Sequence, residues 1–349
     1  MILVAYGTRP EVIKLFPVIR ELRKRGIPHK TLFSGQHTGL YEDVKELVPP
    51  PDYTFADGSA TSRGSTTLGR SFMKICKAAE RLFHRNRFDV VVVQGDTTTA
   101  WALAQMAFYN GVRIAHVEAG LRTFNLASPY PEEANRALIS QLADYNFAPT
   151  RRAMEILEAS GARNPFLAGN TVVDAVRIIR EEKGIRGRAG DTVVITLHRR
   201  ENHRIMGRLF DEVDRVAREN PDVRMIIPIH PNPGVRKHRG RLKAANIEVI
   251  APVGYIEMLR MIGDARFLIS DSGGIQEEAS CFNKKILVVR ETTERPEILD
   301  VGLGRLVGAD IRPHVAWAKE PVDGVVPSPF GDGHAAEKIV TVLTGIAAL

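Results

Sequence analysis

Short runs of consecutive apolar residues alternate along this chain with longer stretches in which apolar positions recur every three or four residues. Strand-length runs fall at residues 2–6, 30–33, 90–93, 114–117 and 145–148, and a second series at 193–197, 225–229, 248–250, 267–270 and 286–289. Strands apolar on both faces and separated by helices predict parallel sheets covered on both sides, and two such series predict two doubly wound α/β domains. In the first helical stretch Pro10 suits the first helical position, Val12, Ile13, Phe16 and Ile19 form a stripe, and Gly26 ends it. Pro17 inside that pattern predicts a kink. Gly169-Asn170-Thr171 and the charged, glycine-bearing stretch at 181–191 place the domain boundary between 170 and 190. The division expected is 1–170, 171–334 and a last helix at 335–349 that either caps the second domain or crosses back to the first.

Length and composition agree with two domains: 349 residues, 44% of them hydrophobic, can bury two cores at the usual ~100–200 residues per domain. Cys76 and Cys281 are too far apart in sequence to suggest a disulfide framework and read as free thiols of a reducing cytosol. No run approaches the ~18 apolar residues of a membrane span, and the start of the chain lacks a basic leader, so a cytoplasmic protein without membrane insertion is expected. Lys plus Arg 48 against Asp plus Glu 41 leaves +7, which favours an anionic partner. Nucleic acid fits poorly, because aromatics are 7% and the basic clusters at 20–25 and 236–243 are short.

Ligands of open α/β sheets bind beyond the carboxyl ends of the strands, so the polar residues that follow the apolar runs are the candidates. In the first series these are Gly7-Thr8-Arg9-Pro10-Glu11 with Lys14, then Gln94-Gly95-Asp96-Thr97-Thr98-Thr99, then Glu118-Ala119-Gly120-Leu121-Arg122. The second series adds His198-Arg199-Arg200-Glu201-Asn202, His230-Pro231-Asn232-Pro233 and Asp271-Ser272-Gly273-Gly274-Ile275-Gln276-Glu277-Glu278. Ser272, Gly273 and Gly274, between a strand and a helix start, can bring backbone N–H groups against a phosphate, with Glu278 placed for a ribose diol. A tight turn with Asp271 or Ser272 as helix cap explains that segment as well. It is neither a Walker loop nor a full dinucleotide fingerprint, which disfavours a nicotinamide cofactor.

Asp96 and Glu118 follow apolar strands directly and suit acid/base work, or else pairing with Arg9, Arg122 or Arg136. Glu132, in the first turn of a helix, is explained on physics alone by the helix dipole. His116, His198 and His230 suggest a metal only weakly, since H-E-x-x-H and paired-cysteine spacings are missing, so no metal is expected. His198 sits where a diphosphate can be held, or is simply a hydrogen-bonded strand-end histidine. Arg290 and Arg295, beside Glu294 and Glu297, read as a solvated loop.

Together with Pro131-Glu132-Glu133-Ala134-Asn135-Arg136, Gly169-Asn170-Thr171-Val172-Val173-Asp174 and Thr293-Glu294-Arg295-Pro296-Glu297, these segments resemble the non-hydrolysing UDP-N-acetylglucosamine 2-epimerases from Gly7 to about Gly302. The resemblance implies two Rossmann-like domains of the glycosyltransferase-B type facing a central cleft, with UDP on the second and the sugar between them. It implies C2 epimerisation to UDP-N-acetylmannosamine by elimination of UDP and re-addition to a 2-acetamidoglucal. It assigns Asp96, Glu118 and Glu132 to proton transfer and sugar positioning, and His198 to the departing diphosphate. Arg9 and Lys14 become cleft cations, Ser272, Gly273 and Gly274 the phosphate cradle, Glu278 the ribose contact, Arg295 a nucleotide contact and Tyr255 the aromatic near uracil. No cofactor is implied, and family members are commonly homodimers.

Two departures from the family pattern carry expectations of their own. Gly39 replaces a long polar side chain after Gly35-Gln36-His37, which predicts weakened or absent activation by a second substrate molecule. His203 and Arg204 replace an aromatic and a glycine after Asn202. The alternatives to the resemblance are a sugar-nucleotide transferase of the same fold and an epimerase of a modified UDP-2-acetamido sugar.

Overall fold

The apolar runs form strands of two parallel sheets, all of them inner strands except the run at 248–250, which forms an edge. The computed structural model describes residues 1–35, 44, 46–55, 68–127, 129–188 and 190–347. The chain divides into two units, Met1–Ala175 with Phe330–Leu349, and Val176–Pro329. In order, the first 175 residues give β1 (Ile2–Tyr6), α1 (Arg9–Lys24), β2 (His29–Phe33), β3 (Tyr53–Thr54), α2 (Leu68–Arg85), β4 (Val90–Gln94), α3 (Thr98–Tyr109), β5 (Arg113–Val117), α4 (Glu132–Leu142), β6 (Tyr145–Ala148), α5 (Arg151–Ala159) and β7 (Pro165–Leu167). The division between units falls inside α6 (Thr171–Lys183). Then follow β8 (Thr192–Thr196), α7 (Met206–Glu219), β9 (Arg224–Pro228), α8 (Pro233–Arg236), β10 (Ile247–Ile250), α9 (Tyr255–Asp264), β11 (Ala265–Ser270), α10 (Gly273–Cys281), β12 (Ile286–Val288), α11 (Glu297–Asp300), β13 (Gly304–Leu306), α12 (Val315–Lys319) and α13 (Ala335–Ala347).

Sheet order in the first unit is β3-β2-β1-β4-β5-β6-β7, and in the second β10-β9-β8-β11-β12-β13. All the strand pairings are parallel. Central strands such as β1 are buried at every position because helices cover both faces, which is why they carry no polar alternation. The edge strands β3, β7 and β13, two to three residues long, escape a periodicity reading. Order reverses between β1 and β4 in one sheet and between β8 and β11 in the other. Those two points are where a doubly wound sheet opens a crevice at its carboxyl edge.

Helix α13 closes the first unit. The Asp174 carboxylate accepts the Ala335 and Ala336 amides at 3.1 and 2.8 Å, capping the helix, and Arg25 at the end of α1 donates to Thr341 and to the Glu337 carbonyl. Asn170 N–H donates to the Phe330 carbonyl at 2.7 Å where the chain re-enters. Among the described residues no helix is long and apolar enough to cross a membrane. Both cysteines are free thiols, and burial pushes the Cys281 thiol up to about 12, leaving it protonated.

Candidate active-site residues

In the first unit Asp96 and Glu118 follow the ends of two neighbouring strands, β4 and β5. Glu118, one residue past β5, is 8% exposed and has φ +64°, a left-handed backbone that costs a non-glycine residue about 1–2 kcal/mol. Its Oε2 accepts Lys14 Nζ at 2.5 Å and Gln94 Nε2 at 2.7 Å. Strain of this kind persists only where surrounding contacts over-determine it, and these two donors do so. Lys14 is itself 7% exposed on α1, so its charge is directed at Glu118. Asp96, two residues past β4, is half-buried, and its Oδ2 accepts Arg136 Nη2 at 2.5 Å.

Helix α4 delivers most of that second-layer support from one short run. Glu133 accepts the Thr123 and Phe124 amides at 3.0 Å, Asn135 Nδ2 donates to the Asp96 carbonyl at 2.8 Å, and Arg136 holds the Asp96 carboxylate. Ser140, one turn on, faces His116 Nδ1, while His116 Nε2 meets the Gly95 carbonyl at 2.7 Å. That geometry makes Nε2 the protonated nitrogen, and burial lowers the His116 pKa to about 4, so it stays neutral. Glu132 opens the helix half-buried and makes no hydrogen bond or ion pair among the described residues. Arg9 is half-buried in the first turn of α1.

In the second unit the candidates gather at the β8/β11 switch point. Ser272 is the N-cap of α10 but its side chain makes no capping bond. Asp271 is no cap either: its carboxylate accepts the His198 and Arg199 amides and Asn202 Nδ2 at 2.9–3.1 Å, so it shapes the loop after β8. His198 keeps a third of its side chain exposed, with Nδ1 3.8 Å from Asp271, and stacks on His230 with centroids 5.1 Å apart. Gly273 lets the two arginines lie close, since a Cβ there would come within 2.9 Å of Arg295 Cζ and 3.2 Å of Arg199 Nη2 and displace them. Two guanidinium groups thus lie against the first turn of a helix, where its N–H groups and dipole also favour an anion.

Arg295 is fixed there by Glu277 (Nε–Oε1 2.5 Å) and by Glu294 (Nη1–Oε1 2.6 Å), and Glu294 also takes Arg290 Nη1 at 2.6 Å. These residues are 1–7% exposed, which corrects the solvated-loop reading of Arg290 and Arg295. Their charges are paired in a buried network that holds the Glu294 carboxyl well below its usual range, against the opposing effect of burial. Glu278 is 6% exposed on the next turn. Tyr255, first residue of α9, is 4% exposed, and burial together with neighbouring Glu278 raises its hydroxyl pKa well above the ordinary value.

Sequence patterning singles out Asp96, Glu118, His198 and the Ser272-Gly273-Gly274 turn, and the family resemblance adds Glu132, but neither finds the residues that hold them. Gln94, Asn135, Asp271 and Glu277 take their partners from elements distant in sequence, and Glu294 joins two arginines in one buried network. The spacing of Glu133 and Arg136 one turn apart was the available signal in α4. Gln36, His37 and Gly39 lie outside the described residues. No group of three or more His, Cys, Asp or Glu side chains is placed to hold a metal ion among the described residues.

The family profile described as UDP-N-acetylglucosamine 2-epimerase matches residues 20–344. The chain is 35% identical over 377 aligned positions to the UDP-N-acetylglucosamine 2-epimerase of Campylobacter jejuni, covering 98% of this chain and 97% of that protein. The crystal structure of UDP-GlcNAc 2-epimerase from Neisseria meningitidis bound to UDP-GlcNAc superposes with TM-score 0.90 at 33% identity, over 99% of each chain. A Streptomyces nogalater glycosyltransferase, SnogD, at 14% identity and TM-score 0.54 over 99% of this chain and 98% of its own, shares the fold alone, consistent with a two-domain glycosyltransferase-B architecture. A profile and relatives that span nearly the whole chain settle its membership: it belongs to the UDP-N-acetylglucosamine 2-epimerase family.

Proposed function

We propose that this protein interconverts UDP-N-acetylglucosamine and UDP-N-acetylmannosamine. The observation that carries the reading is a set of acidic side chains in the first unit: Asp96 and Glu118 past the ends of β4 and β5, each held by a cation, and Glu132 at the start of α4, which among the described residues is not. Inverting C2 requires removing a weakly acidic proton from one face of the ring and returning one to the other. Carboxylates on neighbouring strand ends supply such a pair. The C2 proton goes to one carboxylate as the C1–O bond to UDP breaks, giving UDP and the 2-acetamidoglucal. Re-addition of UDP, with proton delivery to the opposite face, completes the isomerisation without any net loss of atoms.

In this reading UDP binds the second unit. Its diphosphate takes the amides of Ser272, Gly273 and Gly274 and the guanidinium of Arg295, His198 assists its departure, and Glu278, backed by Tyr255, takes the ribose. Arg9 supplies a cation to the sugar nucleotide. Lys14 acts through Glu118. The protein works in the cytoplasm and forms a homodimer; the exposed Met73, Phe108, Tyr109 and Leu138 on the neighbouring helices α2, α3 and α4 support an apolar subunit contact.

Incubation with UDP-N-acetylglucosamine alone in heavy water tests the reaction. Deuterium at C2 of both isomers is expected. Unchanged substrate, with turnover only when a sugar acceptor is added, overturns epimerisation in favour of glycosyl transfer, and free N-acetylmannosamine with a burst of UDP identifies a hydrolysing enzyme.

A further inference from the structure

Glu11 is fully buried on the first turn of α1, at the β1/β4 switch point, yet it has no place in the chemistry above. Its Oε2 accepts the Gly7 amide at 3.1 Å and the Thr8 hydroxyl at 2.7 Å, and its Oε1 accepts the Thr97 hydroxyl at 2.8 Å. Thr8-Arg9-Pro10-Glu11 has the spacing of a capping box, and a helix cap accounts for bonds to the residues just before α1. It does not account for the Thr97 bond. Thr97 belongs to the turn after β4, follows Asp96 directly, and already caps α3 by accepting the Ala100 amide at 3.0 Å. The two turns are also pressed together: a Cβ on Gly7 would overlap the Thr99 and Ser34 hydroxyls, which are themselves bonded at 2.8 Å.

We propose that Glu11 is a positioning residue for the reaction, its carboxyl tying the turn that precedes Arg9 and Lys14 to the turn that carries Asp96 and so fixing their spacing. The inference rests on the epimerase reading above. Among the described residues no cation pairs with Glu11, since Lys14 turns to Glu118 and Arg136 to Asp96. The side chain therefore works through hydrogen bonds. Burial, outweighing the Thr8, Thr97 and Gly7 bonds, raises its pKa to about 7, so a neutral carboxyl that both donates and accepts is accessible at physiological pH.

Glu11→Gln, Glu11→Leu, Thr97→Val and the double variant Glu11→Leu/Thr97→Val test the tie, with UDP-N-acetylglucosamine as substrate. Glu11→Gln, which still accepts at one end and donates at the other, is expected to retain at least about a third of wild-type turnover. Glu11→Leu and Thr97→Val are each expected to lower kcat about tenfold or more while KM moves less than about threefold, and the double variant to lose no more than the worse single one. Unchanged kcat in Glu11→Leu, or multiplying losses in the double variant, overturns the proposal. Amide hydrogen exchange reads the same tie without catalysis. Faster exchange at both residues 7–9 and 95–97 in Glu11→Leu is expected, and an effect confined to 7–9 reduces Glu11 to a helix cap. A wild-type protein without C2 exchange defeats the epimerase reading, and hydrogen exchange still decides whether Glu11 joins the two turns.

Discussion

Replacing Lys14 by Met isolates the buried ion pair at the end of β5. The substitution keeps most of the aliphatic stem but leaves the Glu118 carboxylate without the ammonium 2.5 Å away, in a place where the two side chains are 9% and 6% exposed. Removing one partner of a pair this deep typically costs about 3–5 kcal/mol, because the remaining charge stays desolvated. Gln94 still donates one hydrogen bond to Glu118, which places the expectation toward the lower end, near ~3 kcal/mol. At about 2–4 °C per kcal/mol for a unit of this size, the transition of the first unit falls roughly 6–12 °C. Calorimetry of wild type, Lys14→Met, Glu118→Gln and the double variant measures the cycle. Neutralising both residues is expected to recover most of the loss, giving a coupling of about 2 kcal/mol or more. A single-variant loss below about 1 kcal/mol, or strictly additive losses, refutes the view that this pair is desolvated and mutually dependent.

Two further outcomes follow from the buried groups. The raised pKa of Glu11, about 7, means that its contribution to stability is complete below its ordinary 4.5 and is lost as pH rises through 7, about 3 kcal/mol in all. His116, lowered from 6.5 to about 4, acts in the opposite sense, contributing fully above 6.5 and losing its contribution as pH falls through 4. The two slopes oppose each other between about pH 4.5 and 6.5, so Glu11→Gln is expected to steepen the loss of stability on acidification in urea titrations. Parallel pH profiles for wild type and variant contradict it. Gly273→Ala drives Arg295 and Arg199 off the first turn of α10, and losing one or two charge-assisted hydrogen bonds, about 1.5–3 kcal/mol each, weakens UDP binding at least tenfold by calorimetric titration. Unaltered affinity places the diphosphate elsewhere.

Strands buried on both faces announce themselves, because β1, β4, β8 and β11 each carry an unbroken apolar run of three or more residues, and the residues that follow them inherit a place at the carboxyl edge. That reasoning reaches Asp96, Glu118, His198 and the Ser272-Gly273-Gly274 turn. It cannot reach β3, β7 and β13, whose two or three residues take their conformation from the neighbouring strand. Nor can it choose partners for charged residues. Arg295 reads as a loop cation until Glu277 and Glu294 are seen beside it, and no spacing in the sequence joins Lys14 to Glu118. Glu11 shows the limit most plainly: its capping-box spacing is local and legible, whereas its bond to Thr97 joins positions 86 apart in sequence.

The return of the chain into the first unit has a consequence for biosynthesis. Residues Val176–Pro329 form their unit from one continuous stretch, whereas the first unit needs Phe330–Leu349 as well. On a ribosome, β1 through β7 emerge first but wait for α13, with the Asp174 carboxylate holding no helix start until Ala335 and Ala336 arrive. The second unit can therefore be complete while the first, synthesised earlier, is still unfinished. The carboxylate-bearing unit is thus the last to mature, so a translation product that stops before Phe330 holds a complete second unit but only an unsealed first one.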